Sequence, residues 1–278
     1  MPPRPRSSAD RRAAAVLAAL LALAPPADPR PARAEATPVD LALVLAVDVS
    51  LSMTPEEQAV QRGGYVAAFR SGEVQRAIGQ GLIGRIAVTY VEWAGSASQV
   101  AVVPWTVIGT GQDADAFADR LARVPPRRST WTSIAGALDA SVGLLRAGGF
   151  EAGRQVIDVS GDGPNNQGRD VTRARDDAVA AGVVINGLPL MIRAPSGAYD
   201  IPDLDLYYRD CVIGGPGAFM VPVREAAEFT RAIRAKIVRE VSQDAVPAAR
   251  VLPAQGLAPS FTAARCAAAG LGSYGLDR

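Results

Sequence analysis

The sequence contains no histidine and a single lysine, Lys236. Without imidazole, histidine-based triads, histidine general bases and histidine-ligated metals are excluded, the commonest form of each. Only two cysteines occur, Cys211 and Cys266. They suit an oxidising compartment but are too few for a disulfide-built scaffold, and both pairing and separate burial stay open. An excess of either charge is also missing, because 29 basic residues offset 28 acidic ones. That balance removes the electrostatic case for nucleic acid or an anionic membrane as partner. Trp93, Trp105 and Trp131 are few enough to serve as packing, with Trp131 the candidate for an exposed aromatic at a binding surface.

Apolar residues are plentiful, at 49% of 278. A chain of that length and composition can bury the core of one sizeable α/β domain, which argues against global disorder. Residues 1–36 differ from the rest. Arg4, Arg6, Arg11 and Arg12 make a basic head, Ala13 to Ala24 an apolar run, and a Pro-rich stretch ends in Ala32, Ala34 and Ala36. This is the layout of a secretory signal peptide, so a periplasmic or secreted mature chain is expected. The apolar run is too short to span a bilayer core of roughly 30 Å, and no other segment reads as a membrane span. The expected division is therefore a leader at 1–36, a folded domain at 37–243 and a low-order tail at 244–278.

Within the domain, apolar runs alternate with amphipathic segments, which predicts a doubly wound, mostly parallel α/β sheet with helices on both faces. Leu41 to Val47 is continuously apolar, as a central strand covered on both sides must be. Thr54-Pro55-Glu56-Glu57 reads as a helix start with a capping box, and that helix should reach Arg70. Arg85 to Trp93 and Val100 to Val107 read as a hairpin turning near Gly95. Helices are expected around Ala114 to Val124, Ile134 to Leu145, Arg169 to Ala181 and Phe229 to Val241. Strands are expected at Gln155 to Ser160, Val183 to Leu190 and Phe219 to Val223. Arg193 to Gly217 reads as loop, and Arg231, Arg234, Lys236 and Arg239 as a solvated helix face.

Open parallel sheets collect ligands beyond the carboxyl ends of their strands. The first strand ends in Asp48-Val49-Ser50-Leu51-Ser52, a run of hard oxygen donors suited to Mg²⁺, Mn²⁺ or Ca²⁺. Asp-x-Ser-x-Ser after a buried strand resembles the metal-ion-dependent adhesion site of von Willebrand factor type A domains. Two further elements match that family in order and context: Thr132-Ser133-Ile134-Ala135-Gly136-Ala137-Leu138, and Asp162-Gly163 after Val156 to Ser160. The likeness covers Val39 to Val241, and DVSGDGPNN and YYRDCVIGGPGAF resemble an uncharacterised bacterial subgroup.

The resemblance implies that Ser50, Ser52 and Thr132 touch a divalent cation, Mg²⁺ foremost with Mn²⁺ or Ca²⁺ as alternatives. Asp48 and Asp162 would act directly or through water. It further implies an open coordination position for an acidic side chain of another protein. Thr130 is a weaker candidate than Thr132. Asp158 is a rival to Asp162 but sits inside its strand, pointing into packed core. Two departures bear on the site: Leu51 replaces the usual glycine, and Ser-Gly-Asp-Gly replaces Thr-Asp-Gly, which puts the reach of Asp162 in question.

Blander explanations exist for each residue. Thr132 can be a helix cap. Asp162, Asn165 and Asn166 can be turn formers, and Glu92 a salt-bridge group outside the site. At the level of function, the alternatives are a structural interaction domain with a vacant site and a Mg²⁺-dependent phosphatase-like hydrolase. The second is disfavoured because Ser50 stands where such an enzyme needs its second carboxylate.

Overall fold

The computed structural model describes residues 36–195, 199–242 and 262–268. The expected leader and most of the expected tail lie outside those residues. Strand β1 (Thr37–Asp48) is the middle of a five-stranded sheet ordered β3-β2-β1-β4-β5. It pairs in parallel with β2 (Ile86–Trp93) and β4 (Phe150–Gly161), and β4 pairs in parallel with β5 (Val184–Pro189). Only β3 (Gln99–Ile108) runs antiparallel, closing a hairpin with β2. The fold is thus the mostly parallel α/β sheet that the alternation of segments predicts.

Side-chain alternation along β1 feeds two cores. Leu41, Leu43, Leu45 and Val47 face helices α1 (Pro55–Arg70), α2 (Gly72–Gly79), α3 (Gly111–Ala122) and the later Phe229–Val241 helix. Ala42, Val44 and Ala46 face α4 (Ile134–Ala147) and α5 (Val171–Ala180). Helix α1 begins at the predicted capping box, with Thr54 Oγ1 accepting from Glu57 N at 3.1 Å and Glu57 Oε2 accepting from Thr54 N at 2.8 Å.

Several expectations are revised. Helix α2 was not foreseen; Ser71 both terminates α1 and caps α2, so two helices meet without a loop to announce them. Phe219 to Val223 is not a strand. It makes only single bridges, at Gly187–Met220 and Leu190–Val223, because Pro189 at the end of β5 has no N–H to donate to the Val221 carbonyl between them. The segment read as loop holds a short helix, α6 (Leu204–Tyr207), running into one π-helical turn (Tyr208–Val212). Leu204, Tyr207, Tyr208, Cys211 and Val212 are all buried there.

Cys211 and Cys266 are disulfide-bonded, which fastens a short helix of the tail, α8 (Ala263–Ala268), counting the Phe229–Val241 helix as α7. Lys236 on α7 is not solvated at all, being 1% exposed. Its Nζ lies 2.8 Å from Asp158 on β4 and 2.8 Å from Glu240 on its own helix. Asn186 of β5 donates to the other oxygen of Glu240 at 2.8 Å. Among the described residues, no helix is long and apolar enough to cross a membrane.

Candidate functional site

In register, Asp48 stands opposite Trp93 of β2, and Val47 opposite Ser160 of β4. The carboxyl ends of three parallel strands therefore open on one edge, where no further strand covers them. The apolar run of β1 stops at Asp48, and the turn that follows sends Val49 inward and Leu51 outward. The backbone N–H of Ser50 donates to Asp48 Oδ1 at 2.7 Å. The hydroxyls of Ser50 and Ser52 meet at 2.7 Å, and Ser52 Oγ donates to Asp162 Oδ1 at 2.7 Å. The first and third elements of the motif are thus in direct contact, so the Ser-Gly-Asp-Gly spelling does not put Asp162 out of reach. Nor does Leu51 strain the turn: among the described residues Trp131 is the sole non-glycine with positive φ.

The second element arrives through the loop before α4. Trp131 adopts φ 69°, a left-handed conformation costly for a bulky residue. It is 48% exposed and packs edge-to-face on Tyr199 at 6.4 Å. Thr132 follows, turned inward and buried. The cap of α4 is Ser133, whose Oγ accepts from Gly136 N at 3.1 Å, so Thr132 is not the capping residue. Thr132 instead ties its loop to the third one. Its N–H donates to Asn166 Oδ1 at 2.8 Å, and its carbonyl accepts from Asn166 N at 2.8 Å. Asn165 Oδ1 accepts from Ala135 N at 2.9 Å. Asn165 and Asn166, expected as turn formers, are the clasps between the second and third loops.

Ser50, Ser52, Thr132 and Asp162 line one cavity of about 710 Å³, with Trp131 and Arg193 among its walls. Thr130 also reaches this cavity, and its carbonyl accepts from Gly95 N at 3.1 Å. Asp158 does not reach it, being held by Lys236 on the far side of β4. Asp48 is wholly buried, behind Ser50 at the end of β1. Burial first, and then the charge of Asp162, raises its pKa well above the ordinary carboxylate range. Burial likewise pushes Asp162 up to about 6, against the pull of the Ser52 hydroxyl and Arg193.

Sequence reasoning missed Arg193. Its guanidinium bonds Glu57 Oε1 at 2.7 Å, lies 3.4 Å from Asp162 Oδ2 and donates to the Ser52 carbonyl. Nothing in a loop-like stretch marks one arginine for this position. Glu92, kept out of the site by its sequence context, pairs with Arg62 at 2.5 Å.

The donor set fits a hard cation. Asp48 Oδ2 is buried without a hydrogen-bond partner, beside a second acid of raised proton affinity and three hydroxyl-bearing side chains. Such a pair of carboxylates, one buried and one half-buried, is the electrostatic arrangement that a divalent ion relieves. Among the described residues, no three His, Cys, Asp or Glu side chains converge as a metal site. A cation here would therefore depend on serine and threonine oxygens, which favours Mg²⁺, Mn²⁺ or Ca²⁺ over softer metals.

The fold is that of von Willebrand factor type A domains. The chain belongs to the family described as "Protein of unknown function (DUF1194)", whose model matches residues 38–245. No curated protein matches the chain. Among solved structures it is similar to the pilus adhesin SpaC from Lactobacillus rhamnosus GG, with 14% identity and TM-score 0.54, covering 74% of this chain and 30% of that one. It is also similar to proximal thread matrix protein 1 of the mussel byssus, solved with a zinc-occupied MIDAS motif. There the identity is 13% and the TM-score 0.51, over 75% of this chain and 50% of that one. A von Willebrand factor type A protein from Catenulispora acidiphila gives 12% identity and TM-score 0.51, over 73% and 43%. At such identities the likeness speaks for the fold alone, and the chain spans no more than half the length of these three neighbours.

Proposed function

We propose that this chain is an exported binding module that holds a divalent cation at Asp48, Ser50, Ser52, Thr132 and Asp162 and uses it to capture an acidic side chain of another protein. The observation that carries the reading is the meeting of Ser50, Ser52 and Asp162 above the unpartnered Asp48 Oδ2. The cation, Mg²⁺ by donor type, would supply one open coordination position for a carboxylate. Ser50 and Ser52 present neutral oxygens, so the site's negative charge rests on two acids only, which leaves the ion electrophilic toward an incoming anion. Thr132 completes the donor set from the second loop, and Arg193 limits the charge left on Asp162. The basic and apolar leader supports export. Binding rather than hydrolysis is favoured because Ser50 stands where an aspartyl-phosphate enzyme would place its acid/base carboxylate.

Calorimetric titration of the purified protein with Mg²⁺ and Mn²⁺ tests the first half. Binding is expected in wild type and lost in Asp48→Ala. Affinity capture from a native envelope fraction, with and without EDTA, tests the second. A partner retained in EDTA, or by Asp48→Ala, would overturn the metal-bridged mechanism.

A further inference from the structure

We infer that Tyr208 is a positioning residue of the cation site, its buried hydroxyl reaching the inner oxygen of Asp48 through one water; this rests on the function proposed above. Asp48 has one carboxylate oxygen satisfied, Oδ1, by the Ser50 N–H at 2.7 Å. Its Oδ2 is buried without a partner, and so is the hydroxyl of Tyr208. Two such atoms are each costly alone, since a buried polar group left unpaired loses its hydration for nothing.

They face the same small volume. A Cβ built on Gly161 would stand 2.9 Å from Asp48 Oδ2 and 3.1 Å from Tyr208 Oη. A second glycine, Gly187 of β5, lies under the tyrosine ring, where a Cβ would stand 2.8 Å from Cδ1. Glycine within buried strands forfeits packing and marks a close approach of another group. Gly161 and Gly187 leave room for the ring and for the small volume that its hydroxyl shares with Asp48 Oδ2.

The tyrosine is itself held firmly. It opens the π-helical turn, and Ile213 N donates to its carbonyl at 2.9 Å. Cys211 of the same turn is tied to Cys266. A phenol keeps its proton at neutral pH, so the hydroxyl is able to donate. A water shared between the phenol and Oδ2 would hold the Asp48 carboxylate in one orientation before a cation arrives, the supporting role that groups behind a metal ligand commonly play.

The test is calorimetric titration of the full chain with Mn²⁺, for wild type, Tyr208→Phe and Gly161→Ala, alongside thermal unfolding of each without metal. Tyr208→Phe keeps the ring and should bind Mn²⁺ about tenfold more weakly, within the range seen when groups behind a ligand are removed. Its metal-free melting temperature should fall only slightly, because the ring and its packing are kept. Gly161→Ala, whose methyl enters the shared volume, should weaken binding similarly. Wild-type affinity in both variants overturns the inference and leaves the metal reading intact. A wild-type chain that takes up no Mn²⁺ overturns the metal reading and the inference with it.

Discussion

Asp48 and Asp158 stand on adjacent strands, and both are wholly buried, yet their surroundings are opposite. Asp158 points to the face covered by α7, where the Lys236 ammonium lies 2.8 Å from its Oδ1, although neither of its oxygens has a well-directed hydrogen bond. Asp48 points the other way, to the edge where the loops gather, and has no basic side chain against it. Its unsatisfied oxygen sits instead beside hydroxyls and a second acid. Asp158 thus has a cation of its own chain against it, whereas Asp48 has none, and under the proposed function an ion from outside takes that place.

The contrast can be broken most severely from the Asp158 side. Lys236→Met leaves Asp158 and Glu240 facing each other in the core without their shared cation. Removing one partner of a buried ion pair costs about 3–5 kcal/mol, and urea unfolding should show a loss of that size. A loss below about 1 kcal/mol would mean that the cluster is not an internally satisfied unit.

The same acid gives a pH signature. Burial pushes Asp158 up to about 6, Lys236 pulling it down and Glu240 pushing it further up. A carboxyl that holds its proton more tightly folded than unfolded stabilises the fold at low pH. That contribution is complete below the ordinary carboxylate value near 3.9 and fades as the pH rises through about 6. Because Asp48 contributes with the same sign, the comparison is best made in an Asp48→Asn background. Adding Asp158→Asn there should flatten the stability profile between pH 4 and 6, on the order of the ordinary-to-raised interval. An unchanged slope would show that Asp158 is ionised throughout.

On the other side of the comparison, Asp48→Asn keeps an acceptor for the Ser50 N–H and deletes only the charge. Mg²⁺ binding should fall by about a hundredfold or more, the upper end of the losses seen when a metal's supporting contacts are removed. Metal-free stability should hold or rise, because an uncompensated buried charge has gone. A marked loss of stability would place Asp48 with Asp158 as a structural acid.

How far this contrast could be read from sequence differs between its two halves. The unbroken run Leu41 to Val47, the Thr54 capping box and the two Asp-containing turns placed the sheet and its ligand edge. They carry period and punctuation that backbone physics enforces. The burial of Lys236 did have a signal, since Ile233, Lys236, Ile237 and Glu240 share one stripe of α7, but a charged residue on such a stripe is ordinarily taken as solvated. Tyr208 and Arg193 carried none. Their roles come from a π-helical turn and a loop whose placement depends on contacts distant in sequence, including a disulfide spanning 55 residues. Asn165 and Asn166 look like turn residues because they are in a turn, and only the folded chain shows which loop they clasp.

The finest form of the comparison lies between two neighbours, Thr132 and Ser133. Both carry hydroxyls at the start of α4, and a sequence cannot say which one caps the helix and which one is free for a ligand. The structure gives the cap to Ser133, through Gly136 N at 3.1 Å, while Thr132 lines the cavity with Ser50, Ser52 and Asp162. Removing a capping hydroxyl costs about 1 kcal/mol, so Ser133→Ala should lower stability by roughly that much and leave Mg²⁺ affinity near wild type. Thr132→Ala should do the reverse, costing little stability while weakening Mg²⁺ binding about tenfold, as expected of one oxygen lost from a shared site. Thermal unfolding and calorimetry on the two variants give four numbers, and the crossed pattern is what separates a ligand from a cap. If both variants lost stability and neither lost metal, the second loop would be helix-starting architecture, and the cation would have to be held by the first and third loops alone.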